Sequence, residues 1–120
     1  MESKPKVSVL LLVNQYADRK EGVNSLCRCI DSLVYQTLEE IEILVLLNKN
    51  MEEYRSVVSM YCDKFGEKIR ICNRKDEDLL ETIGEVLKTT NGEYIGVISE
   101  DIVLEYHAYA TLYEESLKEN

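Results

Sequence analysis

The side chains able to do chemistry are few, and several stand where short apolar runs end. Ser99, Glu100 and Asp101 close the run Tyr94–Ile98, Asn48 follows Ile41–Leu47, Asn14 follows Val7–Val13 and Asn73 follows Lys68–Cys72. Polar residues just past the carboxyl ends of buried strands are where open parallel sheets present ligands. The remaining candidates offer less. The single histidine, His107, has no nucleophile pattern beside it. The four cysteines, Cys27, Cys29, Cys62 and Cys72, have no zinc-site spacing, and Cys27 and Cys29 on one helix point to different faces. They read as reduced, mostly buried small hydrophobes. Tyr94, Tyr106, Tyr109 and Tyr113 could stack against a sugar; at this spacing they read first as half-buried core with their hydroxyls at the surface.

The elements that must position these residues follow from the hydrophobic pattern. Val7–Val13 and Ile41–Leu47 are near-continuous aliphatic runs, as in strands covered on both faces. Ile69 and Ile71 alternate with Lys68 and Arg70, which predicts a strand Lys68–Cys72 near a sheet edge. Tyr94–Ile98 is the fourth strand. Helical stripes separate them: Val23, Leu26, Ile30, Leu33 and Val34; then Met51, Tyr54, Val57, Val58, Tyr61 and Phe65. A third stripe carries Leu79, Leu80, Ile83, Val86, Leu87 and Thr90, and a last one Tyr106, Tyr109, Ala110, Tyr113 and Leu117. Asn14 to Gly22 has the composition of a loop, Gly66 sits where a C-terminal cap belongs, and Asn91-Gly92 predicts a left-handed stop to the third helix. Four βα units in succession require parallel pairing through right-handed crossovers. The expected fold is α/β, a three-layer α/β/α sandwich with a Rossmann-like parallel sheet in order 3-2-1-4.

The chain has 120 residues, the size of one domain, with a net charge of -9. Such acidity repels a phosphate backbone, which argues against a nucleic-acid partner. The run Val7–Val13 is far shorter than a membrane span, and no other segment reaches that length, so the expectation is a cytoplasmic protein without a transmembrane segment.

Three stretches resemble family 2 glycosyltransferases of the GT-A fold. Pro5-Lys-Val-Ser-Val-Leu-Leu-Leu-Val13 is similar to that family's opening strand. Cys29-Ile-Asp-Ser-Leu-Val-Tyr-Gln-Thr-Leu-Glu-Glu-Ile-Glu-Ile-Leu-Val45, the most specific, resembles its first helix, its Gln-Thr turn and the start of its second strand. Asn91-Gly-Glu-Tyr-Ile-Gly-Val-Ile-Ser-Glu-Asp101 is similar to the strand that delivers its acidic metal-binding motif. The resemblance implies a single domain over residues 1–120, corresponding to the N-terminal half that binds a nucleotide-diphospho-sugar. It places Asn14, Asn48, Glu100 and Asp101 at the donor site, with Asp101 as the ligand of Mn²⁺ or Mg²⁺.

The sequence departs from the family pattern at those same sites. Strand 1 ends Leu12-Val-Asn-Gln15 in place of Pro-Val-Tyr-Asn, and Leu47-Asn48 stands where the family has two aspartates. Ile83-Gly84 replaces an Arg-Asn pair, and Ser99-Glu100-Asp101 replaces Asp-x-Asp. The half that supplies the acceptor site and general base in the family is not matched, so no catalytic residue is assigned and the 120-residue chain alone is expected to be inactive. Two functions follow: a donor-binding glycosyltransferase domain, or a catalytically silent accessory domain acting in protein–protein interaction. Because the family's sheet continues past the fourth strand, that edge and the last helix are also the expected contact of a homodimer.

Overall fold

The computed structural model describes residues 4–13, 19–48, 51–74 and 79–118. Four strands form one sheet in the order β3-β2-β1-β4: β1 (Val7–Leu12), β2 (Ile41–Leu47), β3 (Ile69–Asn73) and β4 (Tyr94–Ser99). All three pairings are parallel, with Val7 opposite both Ile41 and Tyr94, and Ile43 opposite Ile69. The expected architecture and strand order are present. Helices α1 (Arg19–Val34), α2 (Glu52–Phe65), α3 (Leu79–Leu87) and α4 (Ala108–Lys118) alternate with the strands.

Strand alternation sorts the core into two layers. Val7, Val9 and Leu11 of β1 and Ile41, Ile43 and Val45 of β2 face α1 and α2, together with Leu26, Ile30, Leu33 and Val58. Leu10, Leu44 and Leu46 face the other way, against Val86 and Ile83 of α3. The crossover direction explains the split: two steps outward from β1 put α1 and α2 on one face, and the return from β3 to β4 puts α3 on the other. β1 and β2 are thus covered on both sides, as their unbroken aliphatic runs require.

Three local expectations are corrected. Helix α1 begins at Arg19 and takes in Gly22, which is buried, so the polar stretch is shorter than its composition suggests. Arg19, Lys20 and Glu21 all propagate helix well, and packing of the first turn offsets the glycine. Helix α3 ends at Leu87 without a left-handed residue, because the hydroxyls of Thr89 and Thr90 donate back to the carbonyls of Val86 and Leu87, each at 2.8 Å. Among the described residues only Gly66 has a positive φ, at the C-cap of α2 where a cap was expected. Gly92 is needed for a different reason: a Cβ there would lie 2.5 Å from the backbone nitrogen of Ser8. Lys68 belongs to a 3-10 turn, Gly66–Lys68, which shifts β3 forward by one residue to Ile69–Asn73.

The close approach at Gly92 belongs to a buried polar clamp at the amino ends of the strands. Glu42, 6% exposed in the middle of the sheet, accepts from the Ser8 hydroxyl at 2.5 Å, the Asn91 N–H at 2.6 Å and the Arg70 guanidinium at 2.9 Å. Ser8 in turn accepts the Gly92 N–H at 2.8 Å, and Arg70 donates to the Thr89 carbonyl at 2.9 Å. Burial pushes the Glu42 carboxyl up, but Ser8, Asn91 and Arg70 together outweigh it and hold it below the usual glutamate range.

Glu42→Ala leaves the Arg70 charge and the Asn91 N–H without their acceptor, and is expected to cost about 3 kcal/mol in urea denaturation at pH 7. Because the folded pKa is depressed, Glu42's contribution is present above its ordinary value of 4.5 and lost as pH falls through the lower folded value. The gap between parent and variant should therefore close as the medium is acidified below about pH 4.5.

Candidate functional site

At the carboxyl edge of the sheet the chain order reverses beside β1, with β2 and β3 to one side and β4 to the other. Open α/β sheets bind ligands at such a reversal. Here β4 runs into a tight turn in which the Ile102 N–H donates to the Ser99 carbonyl at 3.1 Å. The Glu100 N–H donates to the Leu12 carbonyl at 3.2 Å, which fastens the turn to the end of β1.

The two carboxylates of the turn have different surroundings. Glu100 is fully buried, whereas Asp101 is exposed and accepts from the Ser99 hydroxyl at 2.5 Å. Cys29 of α1 lies beneath them, its thiol donating to the Ser99 carbonyl at 3.8 Å. Burial first, and then the negative charge of Glu100 and Asp101, push the Cys29 thiol up to about 12. Cys29 is therefore an inert core thiol, as its residue type suggested.

Asn48 lies beyond the end of β2, on the far side of β1 from Asp101, two interstrand spacings or about 10 Å across. Its backbone carbonyl accepts from Arg55 at 3.2 Å. Beside it, the Arg74 N–H donates to the Leu47 carbonyl at 2.8 Å, and the buried Nε of Arg74 has no hydrogen-bond partner among the described residues. Arg55 and Arg74 thus bring positive charge to the end of β2. Neither stood out in the sequence, because nothing in their spacing shows that α2 and β3 converge there. Asn14 lies outside the described residues. Leu47 is fully buried, and Ile83 packs beneath the sheet, so these two departures from the family pattern are filled by core side chains.

A positioning residue was present in the sequence without a role. Gln36, 4% exposed, donates from Nε2 to the Glu105 carbonyl at 2.7 Å and to the Ser32 carbonyl at 2.9 Å, and its Oε1 accepts the Tyr109 N–H at 3.0 Å. The neighbouring Thr37 N–H donates to the Tyr106 carbonyl at 2.9 Å. The Gln-Thr turn therefore fixes the segment that leads from the acidic turn into α4. His107 belongs to the same latch, its Nδ1 3.0 Å from the Thr37 hydroxyl.

For a divalent cation, the described residues supply Asp101 as the accessible carboxylate, with Ser99 holding one of its oxygens. Among the described residues no group of three or more histidine, cysteine or acidic side chains converges as a ready-made cation site. One carboxylate fits a hard cation whose other positions are filled by phosphate oxygens and water.

A parallel sheet in this order, with its polar residues gathered where the chain reverses, defines a Rossmann-like α/β domain of the GT-A kind. The family model for glycosyl transferase family 2 matches residues 19–120, from the start of α1 onward, and the chain belongs to that family. A comparison with curated proteins finds no match.

Gln36→Ala strands the Tyr109 N–H and the Glu105 carbonyl and is expected to cost about 2–3 kcal/mol. It should also change local opening. In the parent, Cys29 should react with a thiol reagent only on global unfolding, and in Gln36→Ala at least ten-fold faster. Mass spectrometry of peptides labelled at pH 8 measures both rates.

Proposed function

We propose that this domain binds the nucleotide-diphospho-sugar donor of a glycosyl transfer reaction at the carboxyl ends of β1, β2 and β4. The observation that carries the reading is the accessible Asp101, set at the chain reversal of a family 2 fold. A donor diphosphate brings negative charge into an acidic protein of net charge -9, and next to Glu100 and Asp101 it needs neutralisation. Asp101 would hold Mn²⁺ or Mg²⁺ on one side, and Arg55 and Arg74 supply fixed positive charge on the other. Asn48, at the end of β2, would meet the base. The cation's part is to stabilise the departing diphosphate.

Sugar transfer by these 120 residues alone is not expected. Among the described residues no carboxylate or histidine is placed as a general base across from Asp101, and His107 is engaged with Thr37. No described helix is long and apolar enough to cross a membrane.

Calorimetric titration with UDP and other nucleoside diphosphates, with and without Mn²⁺, tests the reading. The expected result is metal-dependent binding of at least one nucleotide, weakened about ten-fold, or 1.4 kcal/mol, by Asp101→Ala, and weakened with or without metal by Arg74→Ala. No binding of any nucleoside diphosphate with or without metal would leave the accessory, protein-binding role as the better account. Metal-dependent formation of a glycoside, abolished by Asp101→Ala, would overturn the expected inactivity.

A further inference from the structure

The two edges of the sheet are treated differently. β3, on one side, has Arg70 within it and Lys68 at its start, charges that discourage pairing with another chain. β4, on the other side, has no charged residue between Glu93 and Glu100, and Tyr94, Ile95 and Val97 are 40–50% exposed. Helix α3 covers Leu10 of β1 on the same face but leaves Ile95 and Val97 open.

The backbone of β4 is half used. Tyr94 donates its N–H to the Lys6 carbonyl and Glu100 donates to the Leu12 carbonyl, so the even-numbered residues between them also face β1. By the same alternation, the N–H and C=O groups of Ile95 and Val97 point outward along the edge. A groove of about 300 Å³ between β4 and α4 is lined by Tyr94 through Ile98, by Val7 of β1 and by Tyr109, Leu112 and Tyr113 of α4. Helix α4 packs on the face of the strand that carries Gly96 and Ile98, with the Tyr109 hydroxyl over Gly96, opposite to the face that carries Ile95 and Val97.

We propose that a second copy of this chain occupies the edge: two β4 strands pair antiparallel about a two-fold axis at Gly96, making one continuous sheet. The strand is complementary to itself in this register. Ile95 lies opposite Val97 of the second copy and Val97 opposite its Ile95, so all four outward N–H groups find outward carbonyls. These β-branched pairs cover each other on the face that α3 leaves open. Gly96 lies opposite itself, where the strands come closest, and the hydroxyl of Tyr109 already fills the place of its missing side chain. Charge fits as well: Glu93 lies opposite Ser99, Glu100 opposite Gly92 and Asp101 opposite Asn91, so no acidic residue of β4 or its turn meets another directly. The net charge of -9 on each copy opposes association at long range, so pairing should strengthen as salt screens it.

Light scattering on the 120-residue chain across a dilution series, at low and high salt, gives the first readout. The expected mass rises from 13.9 kDa toward twice that value with concentration, at lower concentration in high salt. Val97→Pro removes one outward N–H without touching the ladder to β1, and Ile95→Lys places a charge on the edge; each should shift the dimer midpoint at least ten-fold upward, with circular dichroism confirming the fold. Hydrogen exchange of the parent gives a readout that needs no variant: the Ile95 and Val97 amides should be protected only at concentrations where the dimer forms. Fast exchange of both at every concentration overturns the proposal. So does protection independent of concentration, which would mean that the chain covers its own edge, and so does a dimer that both variants leave unchanged.

Discussion

The structure depends on one buried carboxylate. Glu42 lies on the second strand of a parallel sheet, on a face that elsewhere carries leucines, and a charge there costs several kcal/mol unless it is fully paired. Its partners come from every part of the sheet's amino edge: Ser8 from β1, Arg70 from β3 and Asn91 from the connection that leads into β4. Satisfying one carboxylate therefore fixes the return from α3 to the sheet. With Gly92 held against Ser8, where no side chain fits, β4 can only start beside β1. Strand order and register are specified at this end by polar groups, while the aliphatic layers supply most of the free energy.

The opposite end is built on different terms. There the strands finish in polar residues and turns, and the segment after β4 is held by one glutamine reaching across from the end of α1. Gln36 supplies partners for two backbone groups of that segment, the Glu105 carbonyl and the Tyr109 N–H, and so the chain can pass from the acidic turn into α4 without burying them unpaired. A rigid amino edge and a tethered carboxyl edge leave variation in the site compatible with an unchanged sheet. This is why Leu47 and Ile83 can be core side chains where the family pattern has polar ones, with no change in strand order.

What the sequence showed follows from this division. The aliphatic runs of β1 and β2 are legible because burial on both faces leaves no alternative reading, and the crossover rule then gives the strand order. The clamp was hidden. Glu42 is one acidic residue inside Ile41–Leu47, and its partners lie 28 to 49 positions away, so only the register, which sets Ser8 opposite Glu42, shows that they meet. The glycine at position 92 was read as a helix stop because Asn-Gly is a turn signal; a close approach between strands leaves no local signature. In the candidate site the acidic turn was legible as the end of an apolar run. Arg55 was not, since it reaches the end of β2 from a helix whose placement the sequence does not show.

The field at the carboxyl edge limits what can bind there. Glu100 is buried and Asp101 accessible on consecutive residues, so the carboxylate that an approaching ligand meets is that of Asp101. An anionic ligand approaching β4 is repelled unless a cation comes with it, whereas one approaching β2 meets Arg55 and Arg74. A diphosphate accompanied by a divalent ion would meet Asp101 on one side of β1 and the two arginines on the other, two interstrand spacings or about 10 Å apart. If the domain binds a donor as proposed, a divalent ion at Asp101 and the two arginines would share the neutralisation of its diphosphate.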